Sequence, residues 1–505
     1  MQVAPQPPHD AAVPVSARED EPRLVEAIAR APEEVASDPS AGGAGQMRFV
    51  VCGMPRGGTT FFGQLFNVHE DVYCYFMETS LFRQLFTFGR DRPFPAENLP
   101  LLEQWLRTEF WGSLVEGTEQ ARVRKFRRLV KYEDLLARHG LAEPGGPGIR
   151  VWNQESFEPF LQELLDLFRN GAYGKDLFQQ GLQLLARHFG NVTARRILGE
   201  KTPDNLFFLD ALHEADPALK AFCILREPYS TLESMKRRAL RNEPFFDSAF
   251  SKEVLGGIVD YYRFMRAAYV YSLRAVPGSF HVCRFEDLVH DPRAVMEQVY
   301  SAMGLGMTDA AREILPQLSI PTDKKHIQAL DLSATEHRLI EMILGPMLRH
   351  FGYAHEPGDG NGSAVDFSEG VIALAGLHMG SELSNQVNDK WMAGQAELFL
   401  LYGSDRSKLV LNLGCAFPAA LGLQDVVLTI SAGDRELLAL KLPPALPDFS
   451  IEIPLDGLDA MAASDTVSAV VLTIASSASY TPITVAGLGA DIREFSFLIK
   501  SCRYE

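Results

Sequence analysis

The chain has 505 residues, 46% of them apolar and 22% charged, a globular balance that excludes a wholly disordered, collagenous or integral-membrane protein and, at this length, favours two folded units. Lys and Arg number 48 against 65 Asp and Glu, a formal net charge of −17. That excess argues against a broad nucleic-acid surface and requires that any anionic ligand be held by a few well-placed cations. The six cysteines, Cys52, Cys74, Cys223, Cys283, Cys415 and Cys502, are far apart with no CxxC pair, which reads as small hydrophobes in a reducing compartment and not as a disulfide frame or zinc site.

Residues 1–46 are rich in Pro, Ala, Gly and acidic side chains, the composition of a disordered tail. The opening residues lack the basic start and apolar run of a secretory signal, and no apolar stretch approaches the roughly 20 residues needed to cross a bilayer. The expectation is a cytoplasmic protein without a transmembrane segment.

From Met47 the pattern changes. MRFVVCG, ARRILGEKTP, LKAFCILREPYSTLESM and SFHVCRFEDL each carry a short apolar run into a polar loop, with helical spacing between them. This predicts an α/β domain over 47–357 built on a parallel sheet, its site at the strands' carboxyl ends. A large, mainly helical insertion lies between Glu78 and Arg195. Within it Val123, Phe126, Leu129, Val130 and Leu136 recur at helical steps, predicting one amphipathic helix whose cations, Arg122 to Lys131, form a solvated face. The segment 358–364 reads as a linker. Beyond it VVLTISA, ELLALKL, FSIEIPL, VSAVVLTIAS and FSFLIKS are short β-type runs divided by turn residues, predicting an all-β sandwich over 365–505.

The strongest chemical signal is Gly53-Met-Pro-Arg-Gly-Gly-Thr-Thr60 between a strand and a helix. Glycines let the backbone bend close to an anion, loop amides converge on it and the helix presents its positive end. Pro55, Arg56, Gly57, Gly58, Thr59 and Thr60 are thus candidates for a phosphate cradle, the core of a P-loop-type domain. Compared with the triphosphatase pattern GxxxxGK[ST], Gly53 and Gly58 match but Thr59 occupies the lysine position, and the cation has moved to Arg56. An arginine inside the loop suits a phosphate anhydride handled without a metal.

At these residues the chain resembles the PAPS-dependent sulfotransferase family, where PAPS is 3′-phosphoadenosine 5′-phosphosulfate and the loop commonly reads PRSGTT or PKSGTT. Gly57 stands where that family often has Ser. A second element fits the same resemblance: Arg226 ends the run AFCIL and Ser234 follows eight residues later. Ser230 and Glu233 have the spacing of a capping box that would start a helix and bring Ser234 and Arg226 to one anion. By resemblance, that anion is the 3′-phosphate of PAPS.

Within the family the motifs are closest to the tyrosylprotein and carbohydrate branches: Met77-Glu78-Thr79, Lys201, Lys324-Lys325 and Pro346-Met-Leu-Arg-His-Phe-Gly-Tyr353. The resemblance implies Glu78 as general base, Lys201 as a cation at the reacting sulfonate, and Lys324 and Lys325 closing over the nucleotide. Ser80 stands where that branch often has an arginine. Arg284-Phe-Glu-Asp-Leu288 resembles the family's YEDL element, with Phe285 for Tyr, and is expected to be architectural. The implied activity is metal-free transfer of a sulfonate from PAPS to a hydroxyl, and a faint likeness of the sandwich to accessory domains of surface-glycan enzymes points to a carbohydrate or glycolipid acceptor. Two alternatives stay open: a nucleotide-dependent kinase using the same cradle, and a non-enzymatic glycan- or protein-binding scaffold with a vestigial nucleotide site.

Overall fold

The computed structural model describes residues 45–75, 77–110, 132–141, 154–191, 193–232, 254–318, 334–353, 369–378, 387–464 and 466–505, all within one compact unit spanning Gly43–Glu505. The expected tail up to residue 44 and the 358–364 segment lie outside the described residues.

Five strands, β1 (Gln46–Gly53), β2 (Val72–Tyr75), β3 (Ile197–Lys201), β4 (Lys220–Leu225) and β5 (Phe280–Arg284), form a parallel sheet in the order β2-β3-β1-β4-β5. Parallel strands are covered on both faces and therefore read as continuous apolar runs, which is what β1 and β4 are. Alternation along β1 divides the two covers. Val50 and Cys52 join the core that contains Leu185, Tyr261 and Met265, whereas Phe49 and Val51 join the core of Phe62, Phe66 and Phe222. Phe49 stacks on Phe66 with ring centroids 4.5 Å apart. The flanking helices include α1 (Thr59–Phe66), α2 (Leu81–Gly89), α3 (Gln154–Arg169), α4 (Gly174–Gly190), α5 (Val254–Arg274) and α6 (Ala334–His350).

Most of the expected insertion helix, with its cations from Arg122 to Lys131, lies outside the described residues. What is described begins a short helix at Glu133–Arg138 with its cap at Tyr132 (φ −107°, ψ 18°), so the run is interrupted there where sequence periodicity predicted one continuous helix.

The carboxy-terminal strands are β6 (Gly370–Leu377), β7 (Lys390–Gly403), β8 (Lys408–Ala416), β9 (Val426–Ala432), β10 (Arg435–Leu442), β11 (Ala445–Pro454), β12 (Met461–Ala462), β13 (Val467–Ser476) and β14 (Phe497–Tyr504). They pair antiparallel in the order β10-β9-β13-β7-β14-β8-β11, with β6 on β7 and β12 on β13. Leu398 and Leu400 of β7 close on Leu411, Ile453 and Leu472 as one buried core. The alternate residues Phe399 and Leu401 turn the other way, into the core that holds Tyr262 and Met265 of α5. β7 is thus buried on both faces, which explains why its sequence does not alternate. Two polar contacts reinforce the junction: Arg266 Nε lies 3.4 Å from the buried Glu397 carboxylate, and Asn98 donates to the carbonyl of Ile483 at 2.8 Å. No helix among the described residues is long and apolar enough to cross a membrane.

Gly53 ends β1 at φ +133°, and a Cβ there would lie 2.3 Å from the carbonyl oxygen of Ile224 on β4. Both the dihedral and the contact penalise any side chain, so Gly53→Ala should cost about 2–4 kcal/mol of stability, read as a lowered urea midpoint. An unchanged midpoint would mean that the turn is not held this tightly.

Candidate functional site

The strand order places the expected chemistry in sequence along one edge of the sheet. β3, β1 and β4 are neighbours; Lys201 ends β3, and the loops after β1 and β4 carry Arg56 and Arg226.

At the centre, the loop after β1 turns through a left-handed Arg56 (φ 71°) and Gly58 (φ 99°) before α1 starts. The amide of Gly57 donates to the Met54 carbonyl at 2.9 Å, closing the turn. Arg56 is exposed while Thr59 is buried and Pro55 and Thr60 are half-buried. Left-handed residues on either side of Gly57 give this turn the alternation on which anion nests are built. A Cβ at Gly57 would meet the Met54 carbonyl at 2.9 Å. The residue that departs from the family's serine is therefore one for which this turn has little room.

On one side of the loop, Lys201 ends β3 with its side chain 1% exposed and donates from Nζ to Glu78 Oε1 at 2.6 Å, while Glu78 is 39% exposed. Gly63 of α1 leaves room for the lysine stem: a Cβ there would sit 3.2 Å from Lys201 Cγ. The carboxylate thus faces the solvent side of a buried cation. Ser80, at the position of the family's arginine, takes a left-handed turn (φ 51°) that opens α2, and its amide donates to Thr202 Oγ1 at 3.2 Å. The nearest cation along α2 is Arg83, 3.7 Å from Asp204.

On the other side, Arg226 follows β4 and its guanidinium lies over the Phe285 ring, 4.8 Å from the centroid. The same ring closes on the loop, since a Cβ at Gly58 would fall 2.4 Å from Phe285 Cδ2. Tyr261 donates from its hydroxyl to the Arg226 carbonyl. Glu286 accepts from the Glu227 amide at 2.9 Å and from the Tyr353 hydroxyl at 3.0 Å. The Phe-Glu pair after β5 and the tail Tyr353 therefore tie the strand ends together.

The capping box expected at Ser230 and Glu233 is not what starts the helix here. Residues 228–232 are already helical, and the cap is Glu227, whose carboxylate accepts from the amides of Tyr229 at 2.6 Å and Ser230 at 2.8 Å. Pro228 at the first helical position lacks the amide that would otherwise need a partner, and a carboxylate just before it satisfies the next two. Ser234, Lys324 and Lys325 lie outside the described residues.

A residue that sequence reasoning passed over is Glu200, fully buried one position before Lys201. Its carboxyl accepts from Asn205 Nδ2 at 2.5 Å and Thr202 Oγ1 at 2.9 Å and also bonds Thr79. It so joins the end of β3 to the turn that presents Glu78. Burial raises its pKa to about 7 against the opposing hydrogen bonds. A neutral carboxyl has a proton to donate, and Asn205 Oδ1 is buried without a partner; turning that amide supplies the acceptor. The available signal was strand alternation, which sends Glu200 to the face opposite Lys201.

Among the described residues no group of three His, Cys, Asp or Glu side chains is arranged to hold a metal ion. The six cysteines are free thiols.

Residues 48–309 match the Sulfotransferase family. An omega-hydroxy-beta-dihydromenaquinone-9 sulfotransferase from Mycobacterium bovis is 26% identical over 165 residues, covering 31% of this chain and 42% of that protein, so the match spans about two fifths of the relative's length. Among solved structures, the sulfotransferase domain of a Synechococcus olefin synthase aligns over 64% of this chain and 100% of its own at 14% identity and a TM-score of 0.38. A sulfotransferase from Mycobacterium avium aligns over 62% and 79% at 14% identity and a TM-score of 0.34.

With the pKa of Glu200 raised above its ordinary 4.5, the native state keeps a proton that the unfolded chain releases. The stability from that proton is complete below the unfolded value and is lost as pH climbs through about 7. Glu200→Gln should flatten this fall, so that urea midpoints of variant and parent converge or cross between about pH 5 and about pH 8. Parallel profiles would show that Glu200 stays ionised throughout.

Proposed function

The chain belongs to the sulfotransferase family, and on that footing we propose that it moves a sulfonate group from PAPS to a hydroxyl of a carbohydrate or glycolipid, with Glu78 as general base. The observation that carries this reading is the order along the sheet edge: the Glu78–Lys201 pair, then the Arg56 loop, then Arg226. A donor laid along that edge would have its sulfonate beside Glu78, its 5′-phosphate in the nest and its 3′-phosphate at Arg226, with Pro55 to Thr60 lining the middle. Ser234, Lys324 and Lys325 remain proposed nucleotide contacts on the strength of the family motifs.

In the reaction the acceptor oxygen attacks sulfur while Glu78 takes its proton. The bond from sulfur to the 5′-phosphate oxygen breaks, and adenosine 3′,5′-bisphosphate leaves with the electron pair. Lys201 serves both ends of this step. Its ammonium beside Glu78 favours the ionised carboxylate a base must be, and once that carboxylate is protonated the same ammonium can balance charge on the departing phosphate. Arg56 supplies the second cation at the anhydride. Catalysis then consists of positioning and electrostatic stabilisation, with the acceptor oxygen and the leaving oxygen held near in line. Because these fixed cations take the place of the triphosphatase lysine and its metal, turnover is expected to survive chelation.

Calorimetry with adenosine 3′,5′-bisphosphate against ATP with Mg²⁺ tests the donor. Arg226→Ala should weaken the bisphosphate by roughly ten- to a hundredfold while adenosine 5′-phosphate, which lacks the 3′ group, changes little; equal losses would remove Arg226 from that role. Glu78→Gln should lower turnover about 10²-fold or more with bisphosphate affinity nearly intact. Full turnover in that variant would require another base. The acceptor panel pairs neutral sugars with a hydroxylated prenylquinone, the substrate type in the name of the Mycobacterium relative.

A further inference from the structure

An open cleft of about 150 Å³ lies between the end of α2 and the sandwich segment 479–494. Its chemistry is balanced. The cations Arg90 and Arg92 are matched by Asp91 and Glu494. Arg90 donates from Nε to both Asp91 oxygens at 2.9 and 2.8 Å and reaches Glu494 at 3.3 Å. Its guanidinium plane rests over Phe86, 4.7 Å from the centroid. Ser479 donates to the same Glu494 carboxylate. Hydroxyls come from both walls, Thr87 on α2 and Ser479, Tyr480, Thr481 and Thr484 on the sandwich.

This lining selects by exclusion. An anionic ligand would meet the carboxylates of Asp91 and Glu494, with Arg90 already paired to both. An apolar chain would strip water from the hydroxyls that are not already bonded within the protein, as those of Ser479 and Thr484 are, and return no hydrogen bond. A neutral polyhydroxylated ring meets both demands. Its hydroxyls pair with the side-chain hydroxyls and with the outer edges of the Arg–carboxylate pairs, and its apolar face can lie on an aromatic ring.

The cleft also connects to the catalytic edge. Arg83, Phe86, Thr87 and Arg90 follow the i, i+3, i+4, i+7 spacing of one helix face. At the near end Arg83 pairs with Asp204, which feels the charge of Glu78. Midway, Phe86 packs on Phe208 with ring centroids 5.0 Å apart, in the segment that follows Lys201. The nine residues of α2 make this track about 13 Å long.

We propose that the cleft binds a neutral saccharide unit of the acceptor while a hydroxyl farther along the same molecule reaches Glu78, so that the sandwich forms one wall of the acceptor site. This rests on the carbohydrate-acceptor reading above and adds to it a location and a second contributing domain.

Saturation-transfer NMR of the full chain with maltotriose, chitotriose and cellotriose tests it, alongside calorimetry with adenosine 3′,5′-bisphosphate. At least one trisaccharide should bind. Thr87→Val should weaken it about three- to tenfold and Tyr480→Ala about tenfold, both variants keeping the parent's bisphosphate affinity as the sign of an intact fold. If the bisphosphate binds and no trisaccharide does, the inference falls while the donor assignment stands. Trisaccharide binding indifferent to both substitutions also overturns it. Variant-sensitive trisaccharide binding without bisphosphate binding supports the cleft and defeats the donor assignment.

Discussion

One aromatic ring ties the β1 loop to the end of β4. Phe285 packs against the left-handed Gly58 of the β1 loop and beneath the Arg226 guanidinium, so elements more than 160 residues apart in the chain share a single rigid support. A flexible contact would let the distance between Arg56 and Arg226 drift, and the proposed grip of both on one nucleotide depends on that distance being fixed. Glu286, next in the chain, accepts from the Glu227 backbone and from Tyr353. The support is thereby bonded to β4 on one side and to the tail of α6 on the other.

A second constraint sits at the opposite end of the edge. Lys201 is almost wholly buried, and an ammonium in that position requires a partner. Glu78 provides it, and Glu200 with Thr79 and Thr202 holds the turn that delivers Glu78. The wholly buried Glu200 and the part-exposed Glu78 differ through environment alone. One is stripped of water among weak donors, while the other faces solvent with a cation 2.6 Å away.

Much of this was legible in the sequence, for reasons that can be named. The β1 loop was readable because its conformation needs glycines at fixed places, and Gly53 and Gly58 both take positive φ. Arg226 was readable because it ends an uninterrupted apolar run that the sheet buries. The cap was misassigned to Ser230 because its spacing to Glu233 imitates a capping box; Glu227-Pro228 was the better signal, as proline favours the first turn. Strand alternation could place Glu200 opposite Lys201 but not name its partners, because Thr79 is brought near only by folding. In the sandwich, the apolar stretch after Trp391 was readable as a strand and is β7, whereas β6 was passed over, its apolar residues divided between two cores.

The two-sided strand β7 has a consequence for how the protein can be taken apart. Phe399 and Leu401 belong to the same hydrophobic cluster as Tyr262 and Met265, while Leu398 and Leu400 belong to the sandwich's own. The carboxy-terminal domain is therefore no interchangeable appendage. Severing it would strip an oily wall from α5 and invite aggregation, and grafting in a foreign sandwich would succeed only if the newcomer reproduced the outward-facing side chains of this one strand.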